Sequence, residues 1–167
     1  MSVDTVLLRF HVEESNALEG IFATRGIHFD EHMYAAEAVA SDPGLYLRDV
    51  TALHRFFDHS LEHDARPSGA FRAVNVSIGS NDMPHYRYIH ELMDAWYGLV
   101  QKLLRQKTLA ENIPVMARVL HHEFLCIHPF ADGNGRCARL LMNAFLLRRG
   151  HTWAVITRER KQVSIYL

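Results

Sequence analysis

A glycine-containing loop at residues 128–139, HPFADGNGRCAR, is the feature that most restricts how this chain can fold. The helix predicted ahead of the loop begins near Pro114 and points these side chains inward: Val115, Met116, Val119, Leu120, Phe124 and Ile127. The helix predicted after the loop ends at a Gly150 cap, and its apolar side consists of Leu140, Leu141, Ala144, Phe145 and Leu147. Two packed helices are therefore expected to hold both ends of the loop.

The residue types inside this loop indicate a phosphate-binding site. The backbone amides of Gly133, Asn134 and Gly135 stand ahead of a helix, where N–H groups converge on anions, and glycine lets a phosphate approach closely. Arg136 and Arg139 project from one face of that helix, which suits a polyphosphate. Taken singly, a short glycine loop is more often a plain turn than a phosphate-binding loop. A pair of arginines on a helix more often belongs to a solvated face than to a binding site. Their joint occurrence favours a site for the phosphates of a nucleotide.

Two titratable residues complete the chemistry of the loop. Asp132 precedes the glycines and is placed to bind Mg²⁺ or Mn²⁺, since Mg²⁺ combines a carboxylate with substrate phosphates. His128 is the titratable side chain of the loop whose usual pKa lies near neutrality. It is therefore the candidate general base.

The loop resembles the signature of the Fic family, HPFx(D/E)GNGRxxR, and fills every fixed position of it. Residues 68–79 resemble the family's flap, a β-hairpin expected here at about 66–80 that clamps an extended segment of the target protein. The flap residues expected to dock the target are Gly69, Phe71, Arg72, Val74, Asn75 and Val76. Residues 15–20, SNALEG, resemble the family's inhibitory motif (S/T)xxxE(G/N), in which Ser15 and Glu19 would keep the nucleotide site closed.

The resemblance implies an autoinhibited protein adenylyltransferase that moves AMP from ATP to a Ser, Thr or Tyr hydroxyl of a target protein. In that reaction His128 would take the hydroxyl proton, and Asp132 would bind Mg²⁺. The amides of residues 133–135 would hold the transferring phosphate, with Arg136 at the β-phosphate and Arg139 at the γ-phosphate.

Several alternatives stay open. Gly135 stands where the phosphorylating Doc-type relatives carry a lysine, which favours nucleotide transfer over phosphate transfer. The donor could still be UTP, GTP or CDP-choline, because the motif concerns the phosphates more than the base. Glu19 could also support removal of AMP by orienting a water near the metal. From a different class, the chain could be a non-catalytic nucleotide-sensing regulator in which Glu19 stays locked.

The fold class expected for the whole chain is all-α, with one short β-hairpin, in a single globular domain. Residues 1–40 are expected to form the N-terminal region, with the inhibitory helix packed on the core. Residues 41–167 are expected to form the catalytic core.

Periodicity places three further elements. An amphipathic helix is predicted over residues 45–61, and the longest helix is predicted to start at Pro84. Val74, Val76 and Ile78 alternate with polar residues, which predicts the strand region.

Composition limits the partners that can be expected. A net charge of −1 over 167 residues gives no broad basic surface, so neither nucleic acid nor an anionic membrane is an expected partner. No apolar stretch reaches the roughly 20 residues of a membrane helix, and the first residues lack the cationic start of a signal peptide. Cys126 and Cys137 are predicted to be reduced thiols, which favours the cytoplasm. A homo-oligomer is left open.

Two groups of side chains could be drawn as zinc sites. They are His54, His59 and His63, and His121 and His122 with Cys126. Neither group has the ligand spacing of a known zinc motif, so these histidines are predicted to be ordinary core or surface residues.

Overall fold

The computed structural model describes residues 3–59 and 67–158. Seven α-helices run through this part of the chain, and they are α1 Thr5–Leu18, α2 Ile27–Ser41, α3 Pro43–Tyr46, α4 Val50–His54, α5 Ile89–Arg105, α6 Ile113–Ile127 and α7 Asn134–Arg148. Short 3-10 helices lie at Arg55–Phe57, Tyr86–Tyr88 and Ala110–Asn112. The predicted mainly helical fold is confirmed.

Helix α7 lies at the centre of the molecule and packs against α1, α2, α3, α4 and α6. Its side chains are buried on every face through Leu146, as expected for a helix surrounded by other elements. Gly150 follows this helix with a left-handed φ of 72° and ends it as predicted. Burial of α7 fixes the position of its N-terminus, where the glycine loop joins it.

The β-hairpin pairs strand β1, Ser77–Ile78, with strand β2, Asn81–Asp82, in antiparallel register. Gly79 has a left-handed φ of 59° at the turn between them. The hairpin is shorter than predicted and lies later in the chain, since Val74 and Val76 fall outside both strands. The predicted flap boundary at residue 66 lies outside the described residues.

The prediction of one continuous helix over residues 45–61 is wrong. The chain instead forms the short helices α3 and α4, followed by a 3-10 turn. Asp49 causes the break, because its carboxylate accepts hydrogen bonds from the amides of Thr51 and Ala52 and so starts a new helix. The predicted end at Leu61 lies outside the described residues.

Helix α6 begins beside Pro114 as predicted, but two side chains expected to face inward face solvent. Val115 is 59% exposed and Val119 is 43% exposed, so that part of the prediction is wrong. The buried side of the helix consists of Ile113, Ala117, Leu120, Phe124 and Ile127. Apolar residues surround most of this helix, so their spacing alone could not select the buried stripe.

Helix α5 is the longest helix of the described part of the chain, as predicted. It begins at Ile89 and not at Pro84, because residues 86–88 form a 3-10 turn. Across the two described ranges, no helix combines the length and the apolar character that crossing a membrane requires. Cys126 is exposed and Cys137 is buried, and both are free thiols.

Four histidines are buried or largely buried, namely His11, His32, His54 and His121. Burial lowers the pKa of His11 from 6.5 to about 3 and the pKa values of His54 and His121 to about 4. Burial also lowers the pKa of His32 well below 6.5. The positive charge of Arg139 adds to the lowering at His11, His32 and His121. These imidazoles are therefore neutral in the folded protein.

We expect this burial to make the fold sensitive to acid. The unfolded chain binds protons on these histidines below about pH 6.5, so the unfolding free energy is at its full value above that pH and falls as the pH drops toward about 4. Each fully buried histidine should cost about 2 kcal/mol at about pH 5, against a total stability of about 5–15 kcal/mol. Thermal unfolding followed by circular dichroism should give a Tm roughly 10–20 °C lower at pH 5 than at pH 7.5.

Two variants test the part played by the buried histidines. His11→Leu should remove about one proton from the pH dependence of stability. Val115→Gln changes an exposed side chain that carries no titratable group and should leave that dependence unchanged. Equal stability at both pH values would contradict the account.

Candidate active site

The glycine loop is held at both ends by α6 and α7, as predicted. His128 follows α6 with a left-handed backbone, φ 51° and ψ 59°, and it is the one non-glycine residue of the described chain with a positive φ. Gly133, with a φ of 75°, precedes α7. Between them the Asn134 side chain donates to the Phe130 carbonyl at 2.9 Å and accepts from the Phe130 amide at 3.0 Å. The loop cannot shift without breaking this pair of hydrogen bonds.

Two arginines of α7 are buried beneath the loop. Arg136 is 2% exposed, and its guanidinium carbon lies 4.7 Å from the centre of the Phe57 ring. Its Nη2 atom is 3.8 Å from Oδ2 of Asp132, so the carboxylate and the guanidinium border the same space. Arg139, one turn further along the helix, is 6% exposed.

The predicted inhibitory residues reach Arg139 from the C-terminal end of α1. Nη2 of Arg139 donates to Oε1 of Glu19 at 2.6 Å and to the Ser15 carbonyl at 3.0 Å, while Nε donates to Oγ of Ser15 at 2.6 Å. The Glu19 carboxylate also lies against Gly135, so closely that a Cβ atom added there would overlap Oε1. A carboxylate oxygen therefore occupies the space at the N-terminus of α7, where the helix dipole favours an anion. We call this space the anion seat.

We expect a methyl group at residue 135 to fill the anion seat. In a Glu19→Gly background, Gly135→Ala should lower ATP affinity roughly tenfold or more, about 1.4 kcal/mol, in calorimetric titration. Gly98→Ala is the matched control, because nothing lies within 4 Å of a Cβ atom added at that position of α5. Unchanged ATP affinity in the Gly135→Ala variant would show that the phosphates bind elsewhere.

The electrostatic surroundings keep the His128 imidazole neutral. Burial lowers the pKa of His128 below 6.5, and the positive charge of Arg72 lowers it further. The negative charges of Glu19 and Asp132 act in the opposite direction without reversing the shift. A neutral imidazole at pH 7 is the form that can accept a proton.

The carboxylate of Asp132 fits a metal that uses few protein ligands. Its side chain is 44% exposed, and Oδ1 accepts the Gly133 amide at 2.5 Å, which orients the carboxylate. Within residues 3–59 and 67–158, no three His, Cys, Asp or Glu side chains converge as a metal site. A Mg²⁺ ion at Asp132 would therefore take its other ligands from phosphates and water.

The residues expected to dock a target at the flap divide by exposure. Val74 is 58% exposed and Asn75 is also exposed. The half-buried members of the set are Gly69, Phe71 and Val76. Arg72 is 2% exposed, and its guanidinium donates to backbone carbonyls of its own chain. It is unavailable to a target segment, so the docking prediction is wrong for Arg72.

His54 borders the site, although its sequence context predicts only a core or surface histidine. Its Nδ1 accepts the Gly69 amide at 2.7 Å, so the proton lies on Nε2, which donates to the Asp132 carbonyl at 3.0 Å. The ring also stacks on Phe130, with 3.8 Å between centroids. These contacts connect the start of the flap to the loop. His54 and Asp132 are 78 positions apart, so no local pattern could have reported their contact.

The other side chains that could be drawn as zinc sites form no convergent group of three within the described residues. His59 is exposed and bonds Oε1 of Glu31 through Nδ1 at 2.9 Å. His122 is exposed and lies 3.5 Å from the Cys126 sulfur. His63 lies outside the described residues.

Sequence comparison identifies relatives of this chain. The model of the Fic/DOC family matches residues 44–146. The protein adenylyltransferase Fic of Culex quinquefasciatus is 31% identical over 160 residues, which covers 86% of this chain and 30% of that protein. The protein adenylyltransferase Fic of Drosophila melanogaster is 30% identical over 156 residues, with 86% and 30% covered. The chain thus spans about 30% of the length of the curated relatives that it matches.

Two solved structures share the fold. A Fic domain containing signaling protein from Bacteroides thetaiotaomicron superposes with a TM-score of 0.68 at 20% identity, covering 96% of this chain and 69% of that one. A Fic family protein from Desulfovibrio desulfuricans superposes with a TM-score of 0.55 at 22% identity, covering 87% and 46%. Because the family model also matches more than half of the sequence, the chain belongs to the Fic/DOC family.

Proposed function

We propose that this chain transfers AMP from ATP to a Ser, Thr or Tyr hydroxyl of a target protein, and that Glu19 inhibits the transfer. The observation that carries the proposal is the Glu19 carboxylate between Arg139 and Gly135, where an anion is already held in a seat suited to a phosphate. The name of the mosquito and fruit fly relatives, protein adenylyltransferase, supports the reaction class.

Each step of this reaction can be assigned to a group in the site. The neutral His128 imidazole would accept the hydroxyl proton as the hydroxyl oxygen attacks the α-phosphorus. A new P–O bond to the target forms while the bond to diphosphate breaks. The amides of residues 133–135 would bind oxygens of the α-phosphate, and Arg136 and Arg139 would bind the β- and γ-phosphates. Mg²⁺ or Mn²⁺ at Asp132 would neutralise phosphate charge.

The rigidity of the loop supports this assignment. Phosphoryl-type transfer depends mostly on positioning and on electrostatic stabilisation of the transferring group. The paired hydrogen bonds between Asn134 and Phe130 and the burial of α7 supply that positioning. A protein substrate would bind as an extended segment along the exposed hairpin, because strand edges recruit main chain.

Intact-mass analysis with a panel of donors tests the proposal. Glu19→Gly protein and a cell lysate would be incubated with Mg²⁺ in four parallel reactions, each with one donor: ATP, UTP, GTP or CDP-choline. We expect an AMP-sized mass on the protein itself or on a lysate protein in the ATP reaction, and much less of it with the wild-type chain.

The other outcomes identify the alternatives. A UMP, GMP or phosphocholine adduct would identify UTP, GTP or CDP-choline, respectively, as the donor in place of ATP. Loss of AMP from a modified protein on adding wild-type chain, but not on adding the Glu19→Gly chain, would assign AMP removal to Glu19. ATP binding with no adduct on any protein would contradict the proposal and favour a nucleotide-sensing regulator.

A further inference from the structure

Arg72 is a buried cation that holds three parts of the backbone together. Its Nε donates to the His128 carbonyl at 2.7 Å, and Nη1 donates to the Val74 carbonyl at 2.8 Å. Nη2 donates to the Pro84 carbonyl at 2.5 Å and lies 3.5 Å from the Ile127 carbonyl. One side chain therefore joins the end of α6, the start of the flap and the turn before α5.

Carbonyl oxygens serve as the acceptors of this guanidinium. Throughout the described ranges, no carboxylate forms an ion pair with Arg72. Burial lowers the pKa of Arg72, which reflects the cost of removing its charge from water. An apolar side chain could fill the same volume without that cost. The guanidinium fork is thus explained by its geometry, because its donors reach several carbonyls at once.

The backbone of His128 is the element most in need of this support. A left-handed conformation costs a non-glycine residue about 1–2 kcal/mol. The His128 amide still donates to the Phe124 carbonyl at 3.0 Å, which ends α6, while the His128 carbonyl is held by Arg72. The Arg72 amide also donates to the Pro129 carbonyl at 2.9 Å. A cation at the C-terminus of a helix is further favoured by the helix dipole.

We infer that Arg72 is a positioning residue whose guanidinium fixes the backbone of His128 and couples it to the flap. The distance and orientation between the His128 imidazole and the flap segment that docks the target would then stay fixed. This inference rests on the proposed function, in which His128 acts as the base. The carbonyls that accept hydrogen bonds from the Arg72 guanidinium lie outside the groups assigned to the phosphates, so its role is separate from binding of the phosphates.

A split between kcat and KM tests this role in the Glu19→Gly background. A shift of about 1 Å at a reacting group can cost about 100-fold in rate. We therefore expect Arg72→Met to lower kcat about 100-fold while the KM for ATP stays within about twofold. Arg72→Lys keeps the charge, but one ammonium cannot span the same carbonyls, so a loss of about tenfold is expected. Arg87→Met, at an exposed arginine near the hairpin, is the matched control and should change neither constant.

NMR of residue 128 gives a readout that does not require activity. The Cα and Cβ shifts of His128 should move away from left-handed values in Arg72→Met and stay in place in Arg87→Met. If the Glu19→Gly parent transferred no AMP, the proposed function would fail, and the shifts would still decide the role of Arg72. If Arg72→Met did not fold, Arg72→Lys would be judged by the same measurements. Unchanged His128 shifts, or a loss confined to KM, would overturn the inference.

Discussion

Replacing Glu19 with glycine is expected to raise the rate of AMP transfer on the order of 100-fold. The Glu19 carboxylate is held by Arg139 at 2.6 Å and lies against Gly135, so the γ-phosphate and the transferring phosphate both lose their binding groups while it is in place. Keeping a site about 99% closed requires about 2.7 kcal/mol, which a partly buried arginine–carboxylate contact together with helix packing can supply. Incorporation of labelled AMP by equal amounts of wild-type and variant protein measures the effect.

Three further variants define which contact inhibits. Glu19→Gln keeps an oxygen acceptor but loses the charge, so its rate should lie between those of wild type and Glu19→Gly. Ser15→Ala removes one neutral acceptor from Arg139, worth about 1 kcal/mol, and should activate about fivefold. Glu13→Gln breaks an exposed ion pair with Arg9 on the same helix and should have no effect. Labelling of Glu19→Gly no faster than wild type would remove the inhibitory role.

Replacing His128 with alanine in the Glu19→Gly protein is expected to lower transfer about 10²–10⁴-fold, the usual contribution of a general base. The neutral imidazole lies at the end of α6, beside the loop that supplies the phosphate-binding amides. ATP affinity should stay within about twofold, because the anion seat is formed by other residues. Labelled transfer measures the first quantity and calorimetry the second.

The exposed His122 provides the control for this loss. His122→Ala should transfer AMP at the rate of the Glu19→Gly parent. Because burial lowers the pKa of His128, the parent's rate should also stay level down to about pH 6.5 and decline only below it. Transfer that survived His128→Ala would mean that another group accepts the proton.

The loop and its two helices could be predicted because their residues are adjacent in the sequence. Helices on either side of a glycine loop leave few arrangements, and apolar periodicity indicated both α6 and α7. The contact of Glu19 with Arg139 joins residues 120 positions apart, and only the family's inhibitory motif indicated it.

Other features depend on contacts that no local pattern reports. Arg72 was predicted to dock the target at the flap, yet its acceptor on His128 is 56 positions away in the sequence, and its burial is not visible in the local pattern. His54 was predicted to be an ordinary core or surface histidine because its partner Asp132 is 78 positions away in the sequence. Asp49 divides the predicted helix because its side chain caps the N-terminus of a new helix, α4. The spacing of the apolar residues continues past Asp49 and gives no sign of this cap.

A crystal structure of the Glu19→Gly protein with Mg²⁺ and an ATP analogue that cannot release diphosphate tests the central claim most directly. The account predicts the α-phosphate against the amides of residues 133–135, with the His128 imidazole facing the α-phosphorus and Arg139 on the γ-phosphate. Phosphates bound away from the N-terminus of α7, or an imidazole turned away from the α-phosphorus, would contradict it.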